Sequence, residues 1–258
     1  MIEIDDERDA RLEPYRHVGD AAWLRDRGLF VAEGRLVAAR LIELGGRLES
    51  LLLTPAALAA FEPQLLADCT VYVAPQAIVN GITGFNFHRG CLALARRRPP
   101  RPLGDLAAAR RIVILEGVNN PDNVGGIFRS AAALGADAVV LGPGSGDPLY
   151  RKAVRTSMGA ALWLPFAPAE AWPDALRTVQ AMGFVLAALS PSGAVTLDRF
   201  ADGLAAGSRV ALLAGAEGAG LSGEALAAAA ATVRIPVDPR SDSLNVIVAV
   251  SIALARLR

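Results

Sequence analysis

Apolar residues in the second half of the chain fall into short runs at 112–116, 138–141, 162–166, 184–189, 210–214 and 232–235. Runs of this length without polar alternation read as strands buried on both faces. Helical periodicity at 123–134, 169–182 and 222–230, with a final helix from about 244 to 257, separates several of them. Such alternation predicts an α/β fold with a mostly parallel sheet covered on both sides. The N-terminal part repeats the scheme on a smaller scale. Strand-like runs at 29–33, 51–54, 71–74 and 91–95 alternate with helical patterns at 35–44 and 55–66, which predicts a small α/β domain. Arg96-Arg97-Arg98-Pro99-Pro100-Arg101-Pro102 suits neither helix nor sheet. The expected organisation is an N-terminal domain over 1–97, a linker over 98–108 and a C-terminal domain over 109–258.

Composition narrows the class. With 258 residues and 53% hydrophobic content, the chain can bury a sizeable core. No apolar run reaches membrane-spanning length, and the acidic start MIEIDDERDA lacks the basic and apolar regions of a signal peptide, so the expected location is cytoplasmic. Cys69 and Cys91 sit in apolar strand-like contexts and read as reduced core thiols. The formal net charge is zero, so any surface for nucleic acid must be local. Candidates are Arg96, Arg97, Arg98 and Arg101; Arg8, Arg11, Arg16, Arg25 and Arg27; and Arg151, Lys152 and Arg155. Lys152 is the only lysine, and the planar fork of arginine suits phosphate.

Three segments at strand ends carry the candidate chemistry. In the first, the run at 111–118 leads into Asn119-Asn120-Pro121-Asp122-Asn123-Val124-Gly125-Gly126-Ile127-Phe128-Arg129. Two glycines in a first helical turn let the backbone approach a ligand or another chain segment closely. Arg129 follows Asn123 by less than two turns, so both can reach the space beyond the strand's C-terminal end. A helix cap with an ordinary surface arginine is the plain alternative. In the second, Leu213-Ala214-Gly215-Ala216-Glu217-Gly218-Ala219-Gly220 sets three glycines around one carboxylate, and Ser222 reads equally well as a cap for the next helix. The third, Ile235-Pro236-Val237-Asp238-Pro239-Arg240-Ser241-Asp242-Ser243-Leu244-Asn245, ends a strand and opens a helix at Ser243, where Ser243 and Asn245 could act as local caps alone. Local capping does not explain why one design recurs three times.

At these residues the chain resembles the SpoU/TrmH family of RNA 2′-O-ribose methyltransferases, within the SPOUT superfamily. The first family motif matches Asn123, Gly125 and Arg129; the second matches Gly215, Glu217, Gly218 and Gly220; the third matches Ile235, Pro236, Ser243, Leu244 and Asn245. The match spans 111–258. More loosely, Phe30-Val31-Ala32-Glu33-Gly34 and Gly84-Phe85 through His88-Arg89-Gly90 resemble the ribosomal-protein-like domain that binds RNA substrate in many members. The resemblance implies a deep trefoil knot, a rare exception to ordinary topology, and a homodimer packed through the knot region. It implies S-adenosylmethionine as cofactor, held by Gly215, Ile235 and Leu244 with Glu217 and Asn245, while Pro236 shapes the loop.

Structured RNA, ribosomal rather than transfer RNA by a small margin, is the implied substrate. Arg129 is the implied catalytic residue, oriented with the ribose by Asn123, Glu217, Ser243 and Asn245. A neutral guanidine is scarce in water, so a charged Arg129 that binds the neighbouring phosphate and steadies a developing alkoxide is favoured over a base. The competing expectation is a catalytically inactive RNA-binding module of the same fold.

Other chemistries find less support. Gly142-Pro143-Gly144-Ser145-Gly146 departs from the dinucleotide-binding spacing, and no phosphate-loop signature G-x-x-x-x-G-K-[ST] occurs. His17 and His88 are the only histidines and lie in unrelated contexts, so no metal site is expected. Trp23, Trp163 and Trp172 read as core or interface anchors before base-stacking platforms.

Overall fold

Apolar runs pair into two separate sheets in the computed structural model of the protein, which describes residues 1–258 apart from Asp68, Glu170 and Arg258. In chain order the first elements are β1 (Ile2–Glu3), α1 (Glu13–Arg16), α2 (Ala21–Asp26), β2 (Leu29–Glu33), α3 (Arg35–Glu43) and β3 (Leu48–Leu53). Next come α4 (Pro55–Leu58), β4 (Val71–Val73), α5 (Gln76–Thr83) and β5 (Cys91–Arg96). Then follow β6 (Arg111–Glu116), α6 (Pro121–Ala133), β7 (Ala138–Leu141) and α7 (Arg151–Thr156). The chain closes with β8 (Phe166–Pro168), α8 (Asp174–Ala181), β9 (Phe184–Leu189), β10 (Val195–Thr196), α9 (Leu197–Asp202), β11 (Arg209–Gly215), α10 (Gly223–Ala228), β12 (Ala231–Arg234) and α11 (Val246–Arg256).

One unit comprises Met1–Pro99 with Leu149–Trp163, and the other Pro100–Pro148 with Leu164–Arg258. The stretch expected as a linker at 98–108 carries a 3-10 helix, Leu103–Ala108, and its Leu106 is buried in the second unit's core. In the first unit a mixed five-stranded sheet runs β1-β4-β3-β5-β2, with β5 antiparallel to both neighbours. Leu12, Tyr15, Val31, Leu52, Phe87 and Leu92 form its core. Burial pushes the Cys91 thiol up to about 12, as suits an inert core thiol.

The second unit holds the expected parallel sheet, seven strands in the order β10-β12-β9-β11-β6-β7-β8, all parallel. In β6 Ile112 and Ile114 face the cluster that includes Leu176 and Val179 of α8, while Val113 and Leu115 are also buried. Burial on both faces explains why the strand sequences lack alternation.

Element ends differ from the sequence reading for identifiable reasons. Asn120 caps α6 by accepting from the Asp122 amide and Pro121 occupies its first position, so the helix starts two residues before Asn123. The pattern at 55–66 splits into α4 and a 3-10 turn at Pro63–Leu66, because Pro63 cannot continue a helix. The run at 162–166 instead ends a 3-10 turn, Ala160–Leu162, and pairing with β7 begins only at Phe166, opposite Val139. Within the pattern at 169–182 only Asp174–Ala181 is helical, and Glu170 lies outside the described residues. Among the described residues no helix is long and apolar enough to cross a membrane.

The turn after β9 crosses β12 at a distance that excludes a side chain. A β-carbon on Gly193 would lie 2.5 Å from the Arg234 amide nitrogen and 2.5 Å from the Val233 carbonyl carbon. Backbone atoms cannot swing aside, so Gly193→Ala should destabilise the protein by about 2 kcal/mol and lower its thermal unfolding midpoint by roughly 4–8 °C. Circular dichroism melting checks this; an unchanged midpoint would contradict the crossing.

Candidate functional site

The C-terminal ends of β9, β11 and β12 open into one cavity of about 640 Å³. Its wall comes from four loops: Leu189 to Pro191, Ala214 to Gly220, Val233 to Val237 and Ser241 to Asn245, with Val246 and Ala249 of α11 behind. Parallel sheets place such loops on the same edge, which is where ligands bind in open α/β folds. Two of the three segments singled out in the sequence therefore meet here directly.

The first joins them through one side chain. Asn245 is the N-cap of α11, and its Oδ1 accepts from the Ile247 amide at 2.8 Å. That bond settles which end of the amide faces inward. The Nδ2 group then donates to Glu217 Oε1 at 2.8 Å and to Asn123 Oδ1 at 3.3 Å. Asn123 is buried at the start of α6, so residues from all three segments share one polar junction. The helix begins at Val246 and not at Ser243 because Asn245 supplies the cap. Ser243 and Leu244 remain in the loop and line the cavity.

Glycines set how closely the loops approach. A β-carbon on Gly215 would meet the backbone of Gly220 and lie 2.5 Å from the Leu221 amide nitrogen, so the turn folds back onto its own strand. Gly218 and Gly220 adopt positive φ, +89° and +71°, which completes that reversal. Gly126 serves packing, since Ile247 of α11 fills the space its side chain would take. Among the alternatives left open for the glycines of α6, close approach of another segment is the one observed at Gly126.

Gly215, Ile235, Leu244, Glu217, Ser243 and Asn245 line the cavity. Pro236 is exposed in the same loop and does not. Arg129 is exposed on α6, does not line the cavity, and has no ion pair or hydrogen bond among the described residues. The six residues from Asn123 to Arg129 correspond to roughly 9 Å of rise and about 240° of rotation. The arginine therefore leaves the helix on a different side from the buried asparagine. Among the described residues no cluster of three His, Cys, Asp or Glu side chains could hold a metal ion.

Two features were not anticipated. Leu189, Ser190 and Pro191 form a wall of the cavity, for which the strand-ending Ser-Pro pair was the available signal. Glu116, at the end of β6 and 8% exposed, accepts the Ser222 amide at 2.8 Å through Oε2. It ties the far end of the glycine turn to the sheet. Nothing in the sequence distinguishes this glutamate from a strand-end surface residue.

The chain is similar to known proteins along most of its length. The family model described as the SpoU rRNA Methylase family matches residues 110–255. A protein of Mycobacterium bovis named as an uncharacterised tRNA/rRNA methyltransferase is 41% identical, covering 97% of this chain and 89% of that one. The 23S rRNA (adenosine(1067)-2′-O)-methyltransferase of Streptomyces azureus is 32% identical over 75% of this chain and 73% of its own length. Among solved structures, the AdoMet-bound rRNA methyltransferase of Sinorhizobium meliloti superposes with a TM-score of 0.85 at 27% identity, covering 99% of this chain and 97% of that one.

Glu116→Ala removes the acceptor of a half-buried amide, a loss of roughly 1 kcal/mol or more in local stability. Hydrogen exchange at residues 216–222 should accelerate about tenfold or more while exchange in β6 and β11 stays slow. Unchanged exchange in the turn would show that Glu116 does not anchor it.

Proposed function

Because the chain belongs to the SpoU rRNA Methylase family, we propose that it transfers the methyl group of S-adenosylmethionine to a ribose 2′-hydroxyl in structured RNA. The observation that carries this reading is the single cavity lined by the second and third motif segments and joined to the first through Asn245. The cavity suits the cofactor in size and character. Ligand pockets span roughly 300–1,000 Å³, and this one offers apolar surface from Leu189, Val233, Ile235 and Leu244 beside the backbone of the Gly215–Gly218 turn. Gly215, Ile235 and Leu244 hold the cofactor, Pro236 directs the loop that carries Ile235, and Glu217 with Asn245 keeps the loops in register.

The cofactor supplies an electrophilic methyl group on a sulfonium centre. What remains for the chain is alignment of the ribose and removal of a proton from a weak acid. Ser243 and Asn245 orient the ribose at the cavity mouth, and Asn123 and Glu217 fix the Asn245 amide. Arg129 stays charged, binds the phosphate beside the target ribose and stabilises the developing alkoxide, while the proton leaves to phosphate or water.

The reading includes a homodimer packed through the knot region. Val248 and Ile252 lie one turn apart on α11 and are 44% and 39% exposed, an apolar stripe that suits a second copy. Dimerisation also gives Arg129 a route to a cavity it does not line within its own chain. A deep trefoil knot accounts for the side-chain-free crossing of Gly193 on Val233–Arg234. Ribosomal RNA is favoured over transfer RNA, in keeping with the named activity of the Streptomyces azureus relative.

Mass-spectrometric mapping of ribose methylation in ribosomal and transfer RNA from a deletion strain tests the assignment, which fails if no ribose methyl group disappears. Arg129→Lys should keep wild-type affinity for S-adenosylmethionine and lower turnover roughly a hundredfold or more. Gly215→Val should abolish cofactor binding in isothermal titration calorimetry, because its side chain has no room beside Gly220 and Leu221. Cofactor binding without turnover on any ribosomal or transfer RNA would favour the inactive binding module.

A further inference from the structure

Glu33 ends β2 inside the first unit, its side chain 4% exposed, and three arginines converge on it. Arg151 Nη1 donates to Oε2 at 2.7 Å, Arg155 Nη1 donates to Oε1 at 3.2 Å, and Arg89 Nε lies 3.4 Å from the same Oε1. Gly34, at φ +97°, packs beside the Arg89 side chain, which would stand 3.5 Å from a β-carbon there, an ordinary contact. A buried carboxylate requires a cationic partner. One would suffice. Three guanidiniums around one carboxylate leave two positive charges uncompensated, and among the described residues none of the three pairs with another acid.

The donors are also largely unused. A guanidinium carries five N–H groups, yet Arg151 and Arg155 each spend one on Glu33, and Arg151 Nε is buried with no partner among the described residues. Exposure rises along the cluster, from 11% at Arg151 to 31% at Arg155 and 56% at Arg89. The group therefore opens to solvent with its excess charge at the surface. Arg151 covers one face of the Phe85 ring beside it, its guanidinium carbon 4.7 Å from the ring centroid.

We propose that Arg89 and Arg155, on a platform made by Glu33 and Arg151, form a clamp for a backbone phosphate of the RNA. This rests on the methyltransferase reading and deepens it. A phosphodiester presents two free oxygens to the forked guanidiniums. Guanidiniums engaged with backbone oxygens touch no base edge, so the clamp fixes RNA position without reading its sequence. Glu33 acts as a positioning residue, since it holds the arginines against their mutual repulsion when no phosphate is bound.

Filter binding of deproteinised 23S rRNA across a salt series tests the clamp. Arg89→Gln and Arg155→Gln should each weaken binding by about threefold to twentyfold and flatten the slope of log affinity against log salt by roughly 0.7–0.9. S-adenosylmethionine affinity should not change. Arg177→Gln, which removes an exposed arginine paired with Asp174 elsewhere, should leave both quantities as they are. Wild-type affinity and slope in both cluster variants would overturn the proposal and reduce the group to an internal ion-pair tie. Should Arg155→Gln fail to fold, the exposed Arg89→Gln decides alone. Failure of the wild-type chain to bind S-adenosylmethionine would sink the transferase reading, and the salt series would still judge the clamp by itself.

Discussion

The orientation of one carboxamide organises the site. Ile247 has an amide at the start of α11 that no helical carbonyl can accept, and Asn245 Oδ1 satisfies it. The other end of the group must then face Glu217 and Asn123. A single such bond contributes only about 1 kcal/mol net, but three at one atom group make the positions of three loops interdependent. A shift in any one leaves a polar group without its partner. The cavity shape follows from that requirement more than from the rigidity of any one loop.

The parallel sheet provides the setting, and glycine makes it close enough. With β9, β11 and β12 side by side and parallel, their C-terminal loops emerge on one edge. The loops could still miss each other if side chains held them apart. Gly193, Gly215 and Gly126 stand where the chain meets another segment, at backbone in the first two cases and at Ile247 in the third. Glu116 adds the tie that keeps the returning glycine turn against the sheet. Packing and polar pairing thus specify the same arrangement, which is the consistency expected of a sequence that encodes one structure.

Much of this was legible in the sequence because it is local. Strands such as β7 and β9 are marked by uninterrupted apolar runs, and α3 by its periodicity. The cavity-lining residues Gly215, Glu217, Ile235, Ser243, Leu244 and Asn245 were pointed to by the resemblance to the SpoU/TrmH motifs. Features that depend on distant pairing were hidden. Asn245 and Ser243 are both credible caps in sequence, and only the demands of Ile247, Glu217 and Asn123 separate them. Glu116 is one more strand-end acid until Ser222 arrives from 106 residues away. The helix at Arg151–Thr156 also escaped notice, though its arginines stood out, because six residues give too little periodicity to detect.

Charge raises the last question, since a chain with zero formal net charge has no overall field to gather an anionic polymer. On the methyltransferase reading, contact with RNA must come from arginines held at chosen positions. A free surface arginine loses side-chain entropy when it binds phosphate, roughly 0.5–1.5 kcal/mol for each immobilised side chain. On the clamp proposal Glu33 has already fixed Arg155, one of the two phosphate-binding arms, so part of that loss falls at folding and not at binding. Arg129 is the opposite case, exposed and unpaired among the described residues. On that reading the chain would separate two uses of one side chain: rigid guanidiniums suit the holding of a backbone, and a free one suits a group that must follow charge as it develops.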